Sequence, residues 1–384
     1  MKVISIGTDR KLFEEGSAVR SRSVDYASKM EELHIVVFTL KKEGHVFKKI
    51  NNLYLYPTNS LTQWLYVSDA KKLAKKVVQE NHFIKGNSVI STQDPFQTGF
   101  VGAHLLKCFG FPLQVQIHTD FLDRHFSGFF NRIRQLLSRY VLPRASEIRV
   151  VSEVIADSLR KKLPLLKADI DVLPVFVDIE KIINTVPTRN IQTDFPQFKF
   201  IILMASRLTT EKRIDVAISS MKKVVAQFPH AGLVIFGDGP LRSSLERQTK
   251  HLKLSKHIVF AGWEKDLISC YKTANLFLLT SEYEGYGMTL IEAGASGCPI
   301  VTTRVGIAKT DIFKNDVNVS ICKFCDEDNV SKNIIEIISD NQKRELFRHR
   351  MQETLRSVAI SKSQYIEKYV NLLKNINDNA IMSQ

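Results

Sequence analysis

Short β-rich runs alternate with segments of helical period along most of the chain, and the alternation occurs twice, on either side of a polar, proline-containing stretch at 185–197. Parallel strands need a long crossover between them, usually a helix, so this pattern predicts two doubly wound α/β domains with helices on both sheet faces. The first series offers strands at Val3–Ile6, His34–Thr39, Ser88–Thr92, Leu113–His118, Glu147–Ser152 and Asp171–Val175, with Ala70–Asn81 among its helices. The second offers Phe200–Ala205, Gly232–Phe236, Ile258–Ala261, Asn275–Leu279, Pro299–Thr302 and Val319–Cys322, with helices at Val216–Phe228 and Leu290–Ser296. The expected organisation is a Rossmann-like domain over 1–184, a linker over 185–197, a second Rossmann-like domain over 198–360, and a terminal helix over 361–384. In that helix Tyr365, Tyr369, Leu372 and Leu373 share a face and need a surface to pack on, for which the first domain is expected.

The 384 residues are enough for two buried cores, and 44% hydrophobic with 24% charged residues excludes a disordered or fibrous chain. Five cysteines, an odd and sparse set, fit a reducing compartment better than a disulfide framework, so the cytoplasm is expected. The first residues contain no apolar leader, and no run of about eighteen apolar residues occurs anywhere. The formal charge is +14, with 29 basic against 20 acidic residues in 1–200. That balance favours anionic partners without choosing among nucleic acid, lipid and phosphorylated small molecules.

Residues 280–303, TSEYEGYGMTLIEAGASGCPIVTT, place Glu284 and Glu292 on either side of a Gly-Tyr-Gly loop that opens a helix. Gly285 and Gly287 permit backbone turns and close approaches that a Cβ would block, so main-chain N–H groups near Met288 and Thr289 can face a ligand. The helix start attracts a diphosphate. Glu292 could accept hydrogen bonds from ribose hydroxyls, and Glu284 from those of a sugar. A strand, a turn and two ordinary surface glutamates would give the same letters. Upstream, SRLTTEKRID puts Arg207 and Lys212 on the loop that ends the strand Phe200–Ala205, where two cations could neutralise two phosphates. A solvated charge pair would read the same way on those two residues alone.

The succession SRLTTEK, LVIFGDGPLRSSLE, VFAGWEKDL and the Thr280–Thr303 segment resembles the nucleotide-binding half of the family 4 retaining glycosyltransferases, which have the GT-B fold. The first half is similar more loosely, through VIST at Val89–Thr92, QIHTD, VVSE at Val150–Glu153 and VLPVFVDIEKI. The resemblance implies transfer of a hexose from a UDP- or GDP-sugar to a glycan; the basic first domain and the arginine-flanked phenylalanines of Phe121–Arg149 suggest a polyprenyl-linked glycan as acceptor. The resemblance also implies retention at the anomeric carbon, no metal and no cofactor, since the nucleotide sugar is itself a substrate. Arg207 and Lys212 match the pair that holds the donor diphosphate, Glu284 the glutamate at the donor sugar, and Glu292 the one that grips ribose. Gly287, Met288 and Thr289 would offer backbone N–H groups, and Trp263 joins the donor-binding set. His118 matches a histidine near the reacting sugar, and Gly16 a glycine that approaches the diphosphate from the first domain. The chain departs from the family at Ser206 and Arg213, both usually glycine. FEEGSAVRSR has one glycine where a pair is common, and GIAKTD after Val305 has one glycine and no glutamate. These departures leave the donor sugar open.

Other features suggest less. Asp326-Glu327-Asp328 has the look of a metal-binding D-x-D, but it precedes the helical run Val330–Ser339, where capping is the expected use of Asp. Cys322 and Cys325 form one CxxC without a second pair, too little for zinc. Gly237-Asp238-Gly239-Pro240 is a poor dinucleotide fingerprint and better suited to a loop edge near the nucleotide. The segment Phe121–Arg149 interleaves Phe126, Phe129, Phe130, Ile133, Leu136, Leu137 and Tyr140 with Arg124, Arg132, Arg134, Arg139 and Arg144. It suits either an anionic membrane interface or a core helix with a basic outer side, and exposure of the phenylalanines decides between them. No second basic-aromatic cluster is apparent, so nucleic acid is not an expected partner. Competing readings are an epimerase or hydrolase of nucleotide sugars on the same fold, and a non-catalytic anion- or nucleic-acid-binding protein.

Overall fold

A computed structural model describes residues 1–123 and 128–382. The chain divides into two compact units, one formed by Met1–Pro174 with Ser361–Gln384, the other by Val175–Ile360.

In the first unit eight strands form one sheet: β1 (Lys2–Gly7), β2 (Glu32–Val37), β3 (Lys48–Ile50), β4 (Leu53–Pro57), β5 (Ser88–Thr92), β6 (Leu113–Ile117), β7 (Glu147–Val150) and β8 (Asp169–Val172). Their order is β3-β4-β2-β1-β5-β6-β7-β8, and β3 alone runs antiparallel. Central strands are buried at every position, as in β5 and β6, which is why they read as continuous apolar runs rather than alternations. The hairpin β3–β4 was not expected from the sequence. Its strands are short and half polar, and its turn passes through Asn51 in the left-handed region, a conformation Asn tolerates without the glycine that would have announced it.

The second unit contains six parallel strands: β9 (Phe200–Ala205), β10 (Ala231–Phe236), β11 (Ile258–Gly262), β12 (Leu276–Leu279), β13 (Ile300–Thr303) and β14 (Ser320–Cys322), in the order β11-β10-β9-β12-β13-β14. Residues 185–197, expected as a linker, lie within this unit. They form a short helix, Ile191–Asp194, with Ile191 fully buried and its N–H donating to Thr273 Oγ1 at 3.1 Å. The boundary falls instead at Pro174/Val175, ten residues before the expected end of the first domain.

The terminal helix Lys362–Met382 buries Tyr365, Ile366, Tyr369, Val370, Leu373 and Ile376, a stripe of helical period, within the first unit. Leu372, expected on that face, is only partly covered. A buried polar chain fastens the helix. Arg149 Nη1 donates to Gln116 Oε1 at 2.8 Å, and its Nη2 donates to Tyr365 Oη at 2.9 Å and to the Leu173 carbonyl at 3.0 Å. Gln116 Nε2 donates to Tyr369 Oη and to Ser91 Oγ, both at 3.1 Å, and Tyr369 stacks on Tyr26 with ring centroids 4.4 Å apart.

Further along the same layer, Gln114 Nε2 donates to Glu147 Oε1 at 2.8 Å. Glu147 is 5% exposed, and burial, helped by nearby Asp171 and Asp169, pushes its pKa up from 4.5 to about 7. A carboxyl with a raised folded-state pKa holds a proton that the unfolded chain has already released, so it makes stability fall as pH rises from about 4.5 to about 7. Glu147→Gln keeps the acceptor and removes the titration. It is expected to flatten the fall by up to about 3 kcal/mol in urea unfolding at pH 5 and pH 8; an unchanged slope would show that Glu147 does not carry it.

Candidate active site

The second unit gathers most of the expected residues at the carboxyl ends of its strands, where open α/β sheets bind ligands. After β9 the chain makes a tight loop, Ser206 to Arg213, before the helix Ile214–Gln227. Two glycines of the β10 loop allow the packing beneath it. A Cβ on Gly237 would lie 1.9 Å from the Ser206 carbonyl oxygen, and one on Gly239 would lie 2.6 Å from that of Leu208. The Leu208 N–H donates to the Asp238 carbonyl at 3.0 Å. The Gly237–Pro240 segment is thus a support for the arginine loop. Arg213 has φ +47°, so the residue in place of the usual glycine keeps a glycine-like backbone. Its guanidinium is held by Asp215 at 2.8 Å and by Cys325 Sγ, contacts that offset a left-handed conformation costing about 1–2 kcal/mol.

Lys212 Nζ donates to Glu284 Oε1 at 2.7 Å, and the Ser281 hydroxyl donates to the same oxygen at 2.7 Å. Both partners of the ion pair are nearly covered, with side-chain exposures of 13% and 12%. Thr280 Oγ1 donates to the Lys212 and Arg213 carbonyls, tying the lysine loop to the end of β12. The sequence pattern left Lys212 as one of two open cations; the fold pairs it instead with Glu284. Arg207 is open, its side chain 73% exposed and 3.7 Å from Glu211 Oε1, a surface contact of little energetic consequence.

Gly287, at φ +91°, turns the chain into the helix Met288–Ala295. No side chain caps that start, so the first N–H groups, at Met288 and Thr289, have no partner within the helix. The glycine loop rests on Gly306, where a Cβ would lie 2.5 Å from the Tyr286 carbonyl oxygen, and the Ile307 N–H donates to that oxygen at 2.7 Å. The lone glycine of GIAKTD therefore has a stated task. Glu292 lies three residues beyond Thr289 on the same helix face, and burial pushes its pKa up from 4.5 to about 7.

Beside this helix start is a cavity of about 190 Å³ lined by Ala205, Ser206, Arg207, Phe236, Trp263, Glu264, Leu267 and Thr289, among others. Trp263, expected in the donor set, forms one wall, and its side chain is largely exposed. Glu264 lines the cavity too, and it is held by a partner that no pattern indicated. Arg189, in the stretch expected to be a linker, pairs through Nη1 with Glu264 Oε2, while the Asp266 N–H donates to Glu264 Oε1 at 2.7 Å. Seventy-five positions separate Arg189 from Glu264, and neither sits in a motif that would have linked them.

His118 and Gly16 belong to the first unit. His118 follows β6, and its pKa is held down to about 4, by burial of the imidazole first and then by the charges of Arg149 and Arg22, so the ring is neutral at pH 7. Gly16, at φ +74°, precedes the helix Ala18–Ala27, and a Cβ there would meet nothing within 4 Å.

Two further sequence features are resolved by geometry. The Asp326 carboxylate accepts from the Asn329 N–H at 2.8 Å and caps the helix Glu327–Ser339. In the arginine-rich segment Phe121 is buried, Arg124 and Phe126 lie outside the described residues, and a helix spans Phe129–Val141. Phe129 and Phe130 are 72% and 70% exposed and Leu136 is exposed with them, which removes the core-helix reading.

Comparison with known proteins is decisive here. The model of the glycosyl transferases group 1 family matches residues 188–354, and that of glycosyltransferase family 4 matches residues 25–181. The chain belongs to the family 4 glycosyltransferases. This glycosyltransferase is 25% identical over 206 residues to an uncharacterized glycosyltransferase of Methanocaldococcus jannaschii, with 53% of this chain and 51% of that protein covered. It is 24% identical over 226 residues to the alpha-monoglucosyldiacylglycerol synthase of Streptococcus pneumoniae, with 56% and 51% covered. The matched region thus spans about half the length of these relatives. The crystal structure of Anabaena HepE in complex with UDP and glucose superposes with a TM-score of 0.75 at 18% identity, covering 98% of this chain and all of that one. The glycosyltransferase has the GT-B fold, two Rossmann-like α/β units.

Proposed function

We propose that this glycosyltransferase transfers a hexose from a uridine diphosphate sugar to a glycan or polyprenyl-linked glycan, with retention at the anomeric carbon. The observation that carries the reading is the cavity beside the glycine-opened helix, within one unit and lined by Arg207, Trp263 and Thr289, with Lys212 on the loop of Arg207 and its partner Glu284 on the loop that leads to Thr289. A base stacked on Trp263 would place its ribose toward Glu292 and its diphosphate at the N–H groups of Met288 and Thr289. As the bond from the anomeric carbon to the phosphate oxygen breaks, negative charge grows on the phosphate. Lys212, Arg207 and the helix start would stabilise that charge, each such donor being worth about a hundredfold to a thousandfold in rate. The departing phosphate takes the acceptor proton, so no separate base is required. Glu284 would hold the sugar hydroxyls; His118 and Gly16 are our candidates for contacts to the reacting sugar and the diphosphate.

Two observations support uridine. HepE, of the same fold, was crystallised with UDP and glucose. Glu264 is neutralised by Arg189 on one oxygen and accepts the Asp266 N–H on the other, which weakens it as an acceptor for the N1–H and amino donors of guanine. UDP is therefore expected to raise the melting temperature more than GDP or ADP at equal concentration. Arg189→Gln is expected to narrow the UDP-over-GDP preference at least tenfold by releasing Glu264. A thermal-shift panel of the three nucleotides checks both; no shift with any nucleotide at millimolar concentration would remove the sugar-nucleotide reading.

A lipid-linked acceptor brings the enzyme to a membrane surface. The support is the exposed Phe129, Phe130 and Leu136 beside exposed Arg132 and Arg139, and the relative named as a monoglucosyldiacylglycerol synthase. No helix among the described residues is long and apolar enough to cross a membrane. Failure to sediment with anionic vesicles at low salt would exclude this part of the reading.

A further inference from the structure

We propose that the loops after β2 and β4 form a second membrane-docking patch, so that the carboxyl edge of the first unit's sheet settles on an anionic bilayer at two points. The proposal rests on the membrane reading above and adds a surface that the sequence did not reveal. The two loops are built as one piece. The Lys41 N–H donates to the Ser60 carbonyl and the Ser60 N–H to the Thr39 carbonyl, each at 2.9 Å, while Asn59 Nδ2 donates to the His45 carbonyl at 2.9 Å. On this piece Val46, Phe47, Leu61, Trp64 and Leu65 are all exposed, Trp64 at 89% and Leu61 at 73%. Five large apolar side chains on two joined loop tips form a patch of the kind that marks an interaction site rather than scattered surface residues.

The charge around the patch indicates the partner. Residues 41–49 hold Lys41, Lys42, Lys48 and Lys49 against the single acid Glu43, which is taken by Arg10 at 3.1 Å and lies 3.7 Å from His45. Residues 58–66 carry no charged side chain. Lys41 and Lys42 are exposed beside the apolar tips. An exposed tryptophan flanked by aliphatic residues and lysines suits the headgroup region of an anionic bilayer, where the ring is half wetted and the ammonium groups meet phosphates. A protein surface would have to be both apolar and acidic to fit as well.

Topology places this patch with the first one. β2, β4 and β6 run parallel, so the segments that follow them, including the one leading to the helix Phe129–Val141, all emerge on the same edge of the sheet. Four strand spacings separate β4 from β6, about 19 Å, a distance one flat surface spans readily. The sequence pattern singled out only Phe121–Arg149 as a basic-aromatic segment; here the lysines and the tryptophan lie on separate loops that hydrogen bonds hold together.

The chain has two tryptophans, so Trp263→Phe leaves Trp64 as the sole indole reporter. With vesicles of equal phosphatidylglycerol and phosphatidylcholine, Trp64 emission is expected to shift to the blue and to be quenched by brominated acyl chains. Phosphatidylcholine vesicles alone should give neither effect. Lys41→Glu with Lys42→Glu is expected to weaken vesicle binding at least tenfold. Protein that sediments with anionic vesicles while Trp64 stays unshifted overturns the second patch and leaves the helix as the single contact. An equal shift on neutral vesicles, or a concentration-dependent shift without lipid, overturns the anionic bilayer as occupant. No sedimentation overturns both membrane contacts, whereas sugar transfer is judged separately by the nucleotide panel.

Discussion

Lys212→Ala is expected to lower kcat/KM for sugar transfer by a hundredfold to a thousandfold and to weaken UDP binding at least tenfold. Two effects combine in this variant. The cation proposed to face the developing phosphate charge is lost, and Glu284 is left as a nearly covered carboxylate with only the Ser281 hydroxyl on Oε1. Breaking one side of a buried pair typically costs about 3–5 kcal/mol. The second effect can be separated from the first. Lys212→Met with Glu284→Gln removes both charges and is expected to recover most of the lost stability without recovering turnover. Arg207→Ala, whose side chain is open to water, should reduce turnover while leaving the melting temperature within a degree or two. Wild-type kinetics in both lysine and arginine variants would remove the diphosphate clamp.

Tyr369→Ala is expected to destabilise the first unit by about 3–5 kcal/mol, the usual cost of deleting a buried aromatic ring. Tyr369 stacks on Tyr26 and accepts from Gln116, so its loss opens a cavity and strands an amide donor that also belongs to the Arg149 network. Tyr369→Phe isolates the hydrogen bond and should cost about 1 kcal/mol. Calorimetry that resolves the transition of the first unit checks both. A loss below 1 kcal/mol for the alanine variant would show that the terminal helix contributes little beyond covering the sheet.

The sheets were largely legible in the amino-acid order. β9 matches its expected bounds, and β10 to β14 begin and end within a residue or two of theirs, because strands buried on both faces must be nearly continuous in Val, Ile, Leu and Phe. The glycine loop at 285–287 was legible because glycine is required where φ reaches +91°. The hairpin β3–β4 escaped because Lys48-Lys49-Ile50 has neither period nor turn glycine. Arg189 escaped for a different reason: its partner Glu264 is distant in sequence, and no pattern marks a pair whose members are each an ordinary charge. Trp64 stands in a stretch without charged residues, and only the hydrogen bonds between its loop and the Lys41 loop bring the two together.

The order of residues alone therefore determined two doubly wound α/β sheets and the helix opened by Gly287, since each depends on local period or on a residue's own conformational range, while Arg207, Lys212, Glu284 and Glu292 became candidates through the resemblance to the family. Tertiary structure decided which of these groups neutralise one another, as in Lys212 with Glu284 and Arg189 with Glu264. It also decided which apolar side chains stay in water. Pairing and exposure depend on distances between segments far apart in the chain, and those distances exist only once the sheets are assembled.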